Sequence, residues 1–418
     1  MTLSKVIAPS LTRTERKWRL APLATLSSPG YRYLWSASFL WNQARWMDRV
    51  VLGWVVFDMT NSAWNLAVLE ALRWLPLLMF GIAGGAVADR IDRRWVLIGA
   101  QGLALVVCAM SAILLVLGLF DFRVALLVTF ALGVQWAVDW PTRRALIPDL
   151  VGRELTMNAV ALEAVSQNVT RIVGPLIAGV LVAFVGSAAA FAAMAGLYVV
   201  EIILLKLMPL EARAAPPHGG SMLRYLSEGF EKLSANQAIV GVVLVSVFMN
   251  VLVFPYQQLM PVFARDSLHV DAVGLGGLTA ASGIGSVVGA MTIAMSRRVP
   301  RSGMLFWIGS CLMCVCLIGF AASQHYTVAL VLLAMSGLGQ SAFSSLQSTI
   351  VLSSSTDQLR GRAMGALTLA IGSTPFGSLA IGAVSVALGA SLAVALSAGL
   401  SAALVLLVAL RLPRFRAV

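Results

Sequence analysis

The sequence predicts an all-α membrane protein of twelve transmembrane helices, arranged as two six-helix bundles related by pseudo-twofold symmetry. Three observations predict it. The 418 residues are 59% hydrophobic and 11% charged, with a mean hydropathy of +0.88. A soluble domain carries about a quarter charged residues, so a chain this apolar has lipid as its main solvent. Twelve apolar runs approach or exceed the roughly 20 residues a helix needs to cross a bilayer, and a glycine–arginine pattern repeats at about half the chain length.

The runs are 33–57, 64–87, 95–119, 124–140, 158–185, 188–208, 238–259, 273–295, 304–322, 328–351, 363–388 and 391–410. They are too long and too rich in Gly and Ala for barrel strands, which need about 10 alternating residues. The chain then divides into a cytoplasmic N-terminal segment (1–32), a first bundle (33–208), a cytoplasmic linker (209–237), a second bundle (238–410) and a cytoplasmic tail (411–418). The linker joins Pro216, Pro217, Gly219 and Gly220 to an amphipathic stretch over 222–233, the pattern of a hinge followed by a surface helix.

Charge sets the orientation. With the first segment inside, the inner connections carry Arg90, Arg93 and Arg94, then Arg143, Arg144 and Arg153, then Lys206, Arg213, Arg224 and Lys232, and further arginines along the second half. The outer connections carry only Arg123 and Arg265. This positive-inside bias places both termini in the cytoplasm and the chain in the cytoplasmic (inner) membrane. The net charge of +12 is scattered over short loops, so no nucleic-acid partner is expected. The first apolar run contains Arg45, Asp48 and Arg49, which a cleavable signal would lack.

The two halves share a design. Gly81, Gly85, Arg93 and Arg94 recur as Gly285, Gly289, Arg297 and Arg298 at an offset of 204, and Gly174, Gly179, Gly186 and Gly196 recur as Gly377, Gly382, Gly389 and Gly399 at an offset of 203. These sets pair run two with eight, five with eleven and six with twelve. Folds of this build bind their ligand between the halves, near the bilayer midplane.

Charges inside spanning helices cost about 2.5–3.5 kcal/mol each, so they face a cavity or a partner. Run one holds Asn42, Arg45, Asp48 and Arg49; the three-residue spacing allows Arg45 to pair with Asp48. Glu70 and Arg73 have the same spacing in run two, Asp139 lies in run four, and Glu163, Gln167 and Arg171 form a stripe in run five. Asp48, Glu70, Asp139 and Glu163 are the candidate proton-coupling residues; each could instead merely neutralise an arginine. Glu201 reads as a structural partner of Lys206. The second half offers neutral groups: Asn250 and Tyr256 in run seven, Gln340, Ser344 and Gln347 in run ten, and Thr374 in run eleven. With Asn42, Arg45, Arg49, Arg73, Gln167 and Arg171 they make the candidate substrate cavity, whose arginines favour an anionic ligand. Cys311, Cys314 and Cys316 cluster without His or carboxylate nearby and read as apolar filler. No metal or cofactor site is expected, and no nucleophile–His pair suggests an enzyme.

The stretch from Gly85 through Asp89, Arg90, Arg93 and Arg94 resembles the loop signature of the major facilitator superfamily, with Asp92 where Gly is usual. Asp139-Trp-Pro-Thr-Arg143, Pro148-Asp149, Gly174-Pro175 and Arg360-Gly-Arg362 are similar to the enterobactin-exporter-like branch, the transmembrane secretion effectors. The resemblance runs from about residue 31 to 410. Gly174, Pro175 and Gly179 also resemble the span-five packing motif of antiporters, with Thr170 and Ala178 replacing two of its glycines. It implies the major facilitator fold and a monomer exporting siderophore- or drug-like molecules by alternating access, in exchange for a proton or another ion. It also implies a cytoplasmic gate of Gly85, Asp89, Arg90, Arg93, Arg94 and Arg143, with Asp89 docked at the amide end of run eleven. The competing reading is an importer of a nutrient on the same fold.

Overall fold

A computed structural model describes residues 24–80, 92–209, 236–295, 301–355 and 359–412. Among them there is no β-strand. The helices are α1 (Pro29–Thr60), α2 (Ala63–Phe80), α3 (Arg93–Val116), α4 (Phe122–Gly152), α5 (Glu154–Phe184), α6 (Ser187–Leu207), α7 (Gln237–Ser267), α8 (Ala272–Met295), α9 (Ser302–Ala322), α10 (Tyr326–Ser353), α11 (Arg360–Ile371 continued by Thr374–Leu388) and α12 (Ala390–Arg411). Ten of them, α3 to α12, are long and apolar enough to cross a membrane, so the chain is a multi-pass membrane protein. α1 and α2, outside that set, carry the charges of the site described below.

Local chemistry fixes the ends. Ser28 caps α1 by accepting from the Tyr31 amide, and Pro29 opens the first turn, where its missing N–H costs nothing. Asp121 caps α4 through the Val124 amide, and Asn236 caps α7 through the amides of Ala238 and Ile239. The α5–α6 and α11–α12 turns each use a glycine at positive φ, Gly186 at 102° and Gly389 at 83°. Other L-residues rarely adopt that backbone, and the two positions belong to the repeat seen in the sequence.

Two expectations need correction. The fourth apolar run does not end at residue 140. α4 continues to Gly152, where φ of 76° separates it from α5. The continuation is held by burial of Leu146 and Ile147 against Tyr31, Leu34, Leu97, Ala159 and Leu162, which compensates for its fall in hydropathy. Arg143 and Arg144 are therefore helical residues, not loop residues. The second run, expected over 64–87, is described only to Phe80.

α7 and α11 are irregular. α7 passes through a π turn at Met249–Val253, a 3-10 stretch at Phe254–Leu259 containing Pro255, and a second π turn at Phe263–Ser267. α11 breaks at Gly372–Ser373, before Pro375. Proline removes a helical hydrogen bond, and neighbouring helices must hold the bent backbone.

The repeated glycines make equivalent contacts. A side chain at Gly174 of α5 would strike Trp46 of α1, and one at Gly377 of α11 would strike Val251 of α7. One at Gly179 would strike Ala272 of α8, and one at Gly382 would strike Ala67 of α2. The contacted partners are themselves 205 residues apart in both cases. Small residues thus let α5 approach α8, and α11 approach α2, to backbone distance.

These approaches share one end of the molecule, with the contact of Gly53 on Pro261 and the Arg265–Asp58 ion pair at 2.9 Å. At the other end the first segment of α11 packs chiefly on α7 and α10. Among the described residues, the first and second halves of the chain therefore meet tightly at one end and diverge at the other. Gly179→Ala is expected to lower the unfolding temperature in detergent, because a methyl there meets the Ala272 carbonyl; overpacking of this kind costs about 1–3 kcal/mol. Gly196→Ala, with nothing within 4 Å of the added carbon, is the silent control. Equal unfolding temperatures for the two variants would contradict the packing.

Candidate functional site

Two polar centres lie inside the helices. The first sits where α1, α2 and α5 face α7, α8, α10 and α11. Arg73 of α2 binds Asp48 of α1 and reaches Glu70 with its Nε at 3.2 Å. Arg49 of α1 binds Glu70 at 3.2 Å and donates to Oε1 of Gln257 on α7 at 3.3 Å. The Trp74 indole donates to Glu70 at 3.1 Å. Arg171 of α5 donates to the side-chain carbonyl of Gln340 on α10. Trp46 stands between two of these cations, its ring 5.4 Å from the Arg49 guanidinium and 5.5 Å from that of Arg171.

These groups border a cavity lined also by Tyr256, Gln257, Gln258 and Thr279. A second space shares Trp46, Arg49, Glu70 and Arg171 with it and reaches Asn250, Phe254, Gln340 and Thr374. The Thr374 hydroxyl donates to Asn250 Oδ1 at 3.4 Å, joining the π turn of α7 to the break of α11. Asp48 and Glu70 balance Arg49 and Arg73. Arg171 has no acidic partner among the described residues, so the cavity carries one uncompensated positive charge.

The second centre lies between α1, α3, α4, α5 and α6. Arg143 binds both oxygens of Asp139, at 2.5 and 3.1 Å, binds Glu201 of α6, and donates to the Ser38 hydroxyl at 3.2 Å. Gln101 of α3 donates to Asp139 and accepts from Gln135 at 3.0 Å. Glu163 of α5 approaches beside Ser38. Asp139 and Glu201 are completely buried.

The structure redistributes several expected roles. Arg45 does not pair with Asp48. Its guanidinium lies 4.0 Å from the Trp136 ring centroid and 5.5 Å from that of Trp41, and Asp48 goes to Arg73. An aromatic face satisfies Arg45 where the better-aimed Arg73 has taken the carboxylate. Glu201 does not pair with Lys206, which is exposed. Residues five apart point about 140° apart around a helix, so the spacing already disfavoured that pair. Arg143, expected at the gate, is buried in the second centre. Gly85, Asp89 and Arg90 lie outside the described residues. Arg93 bridges to Asp149 at 2.5 Å and to the Ala145 carbonyl at 3.1 Å, while the Arg94 amide is capped by Asp92.

Of the remaining candidates, Asn42 bonds back to the Ser38 carbonyl, and Gln347 accepts from Ser246 at 3.3 Å. Gln167 is half-buried and Ser344 exposed. Gly174 packs on α1, while Pro175 and Gly179 pack on α8. Sequence reasoning missed Trp46, Trp136, Gln101 and Gln135. Gln135, four residues before Asp139, and Trp46, three before Arg49, were the available signals.

A family model of transmembrane secretion effectors matches residues 20–418. The chain belongs to this family. It is a transporter of the major facilitator type, not an enzyme. The chain is 27% identical over 415 residues to the enterobactin exporter of Shigella boydii, covering 96% of this chain and 97% of that protein. It is 23% identical over 352 residues to the staphyloferrin A transporter of Staphylococcus aureus, covering 83% and 87%. Among solved structures, a bacterial homolog of the human lysosomal transporter Spinster, inward-facing and unoccupied, superposes with a TM-score of 0.72 at 15% identity, covering 93% of this chain and 98% of that one. The nucleoside transporter NupG gives 0.70 at 15% identity, covering 91% and 98%. These likenesses show the fold.

The ion pairs make a stability prediction. Arg73→Met strands Asp48 and is expected to cost about 3–5 kcal/mol, whereas Arg73→Met with Asp48→Leu removes both charges and recovers most of the loss. Thermal unfolding of the purified variants checks this. A double variant no more stable than Arg73→Met would show that the pair is not the source of the effect.

Proposed function

We propose that the protein is a secondary transporter that exports small anionic, siderophore-like molecules across the cytoplasmic membrane by alternating access, in exchange for protons. Its twelve helices form two bundles of six, with α1–α6 and α7–α12 as the moving bodies. The observation that carries the reading is the cavity between the halves, where Arg171 holds a positive charge without a counter-acid among the described residues. An uncompensated cation at bilayer depth is costly, and a transported anion relieves that cost while bound.

Charge supports the direction. The diverging end of the molecule carries the Arg-rich connections, which the positive-inside rule assigns to the cytoplasm. The cavity then opens to the cytosol and is sealed toward the outside by the α5–α8 and α2–α11 contacts and the Arg265–Asp58 pair. Substrate enters from the cytosol, as export requires. Likeness to an enterobactin exporter and a staphyloferrin A transporter supports a siderophore-like substrate. Trp46 offers a ring face to a flat aromatic or conjugated group, and Gln257, Gln340, Asn250 and Thr374 offer hydrogen bonds. The gate expected around Asp89, Arg90 and Arg93 closes the cytosolic end in the alternate state. The protein acts as a monomer.

Transport into everted vesicles with an acid lumen, over a panel of carboxylate and catecholate siderophores, tests the reading. The expected result is gradient-dependent accumulation of at least one of them. Arg171→Gln is expected to weaken its binding by roughly 10–100-fold, the worth of a charge-assisted hydrogen bond, and to leave binding of a neutral analogue unchanged. Accumulation only in right-side-out vesicles, or unchanged anion affinity in Arg171→Gln, would contradict it.

A further inference from the structure

The second polar centre is separate from the substrate cavity, and its charges do not balance. Three carboxylates, Asp139, Glu163 and Glu201, surround the single guanidinium of Arg143. Arg45 is the next cation, and it is held against the Trp136 and Trp41 rings. Arg144 is exposed and lies on Trp140, its guanidinium 4.2 Å from that ring centroid. Even with Arg45 and Arg143 both counted, three acids face two buried cations. The other groups turned toward the centre are neutral: Tyr31, Ser38 and Trp41 from α1, Gln101 and Cys108 from α3, Gln135 from α4 and Tyr198 from α6; Cys108 and Tyr198 also face Asp48, whose charge is matched by Arg73. An uncompensated charge in such a place costs several kcal/mol, and a carboxylate there takes up a proton instead.

Two oxygens have room for that proton. Oε2 of Glu201 and Oε1 of Glu163 are buried without a hydrogen-bond partner, whereas both oxygens of Asp139 are engaged. Glu163 is half-buried, in the half of α5 nearer the diverging end, and Glu201 is sealed behind Arg143. In the first centre Oδ1 of Asp48 is also buried without a hydrogen-bond partner, but there each acid has its own cation: Asp48 and Glu70 are matched by Arg73 and Arg49, so they have no need of a proton.

We infer that one exchangeable proton is distributed over Glu163 and Glu201, the two carboxyls that face Arg143 with a free oxygen, and that this pair, not Asp48 or Glu70, is the proton-binding site of the exchange. The inference rests on the transport reading above for its role, though not for the presence of the proton. In the cytosol-facing state a carboxyl of the pair releases H⁺ through Glu163 and becomes a carboxylate. In the outward-facing state a carboxylate of the pair gains H⁺ from outside. The added negative charge falls beside Arg143. A continuous stack leads from there to the substrate cavity: Arg143 lies over Trp41, 5.2 Å from its centroid, and Arg45 lies over both Trp41 and Trp136. Trp136 meets Trp74 edge-on at 4.8 Å, and Trp74 donates to Glu70.

Infrared difference spectroscopy of the purified full-length protein across a pH series reads the proton directly. The expected result is a protonated-carboxyl stretch at neutral pH that disappears in Glu201→Gln or Glu163→Gln and persists in Asp48→Asn. In proteoliposomes, Glu201→Gln is expected to lose gradient-driven accumulation of the transported siderophore, down to the gradient-free control, while keeping counterflow exchange in vesicles preloaded with it. Glu163→Gln gives a second route if Glu201→Gln does not fold. Absence of any protonated carboxyl in the wild type, or gradient-driven accumulation intact in both variants, would overturn the assignment. A carboxyl band of the expected behaviour in a protein that moves no siderophore would uphold the buried proton and sink the transport reading instead.

Discussion

A guanidinium placed at bilayer depth must find a carboxylate, a ring face, an amide or water, and the site of this protein is built from that constraint. Arg73 takes two carboxylates, Arg49 one carboxylate and a glutamine of the other half, and Arg143 two carboxylates and a serine. Arg45 takes tryptophan faces, and Arg171 takes a tryptophan face and a glutamine. The strength of compensation falls from Arg73 to Arg171, and the cavity lies where it is weakest. Charges that are fully matched act as framework, because breaking either partner strands the other. Charges matched only by neutral dipoles remain available to a ligand.

The same division runs through the halves of the chain. Both polar centres draw their ions from α1, α2, α4, α5 and α6, and the second half answers with Gln257, Gln340, Asn250 and Thr374. Arg49–Gln257 and Arg171–Gln340 are hydrogen bonds between a charged and a neutral group, strong enough to orient the halves and weak enough to be exchanged for a ligand or for water. The irregular backbone lies on the neutral side. The π and 3-10 stretches of α7 and the break of α11 put Asn250 beside Thr374, where backbone freed from helical bonding can rearrange at low cost.

Much of this was legible in the sequence. Long apolar runs and paired glycines report local requirements, and the offset between Gly174 and Gly377 anticipated that both would be pressed against backbone from equivalent helices. The charged residues in the first half were also visible, since their expense in lipid singles them out. Their pairing was not. Spacing along one helix admitted Arg45 with Asp48 and Glu201 near Lys206, but the winning partners came from other helices, Arg73 and Arg143, whose approach depends on how α1, α2, α4 and α6 rotate in packing. The end of α4 was misjudged for a related reason: its last turns are held by Leu146 and Ile147 against α1, α3 and α5, a tertiary effect that hydropathy does not record. Aromatic partners such as Trp136 were hidden because a tryptophan in an apolar run looks like any other core residue until a cation is found on its face.

The central claim is that the weakly compensated charges line a path that opens to each side in turn between two halves moving as bodies. Distances between spin labels measure this most directly, with one pair at the diverging end, on Met157 of α5 and Leu352 of α10, and another at the sealed end, at Leu119 and His325. On addition of a transported siderophore or a change of pH, the account predicts that the first distance shortens as the second lengthens, each between two discrete populations. A single unchanged distance at both ends under every condition would contradict it.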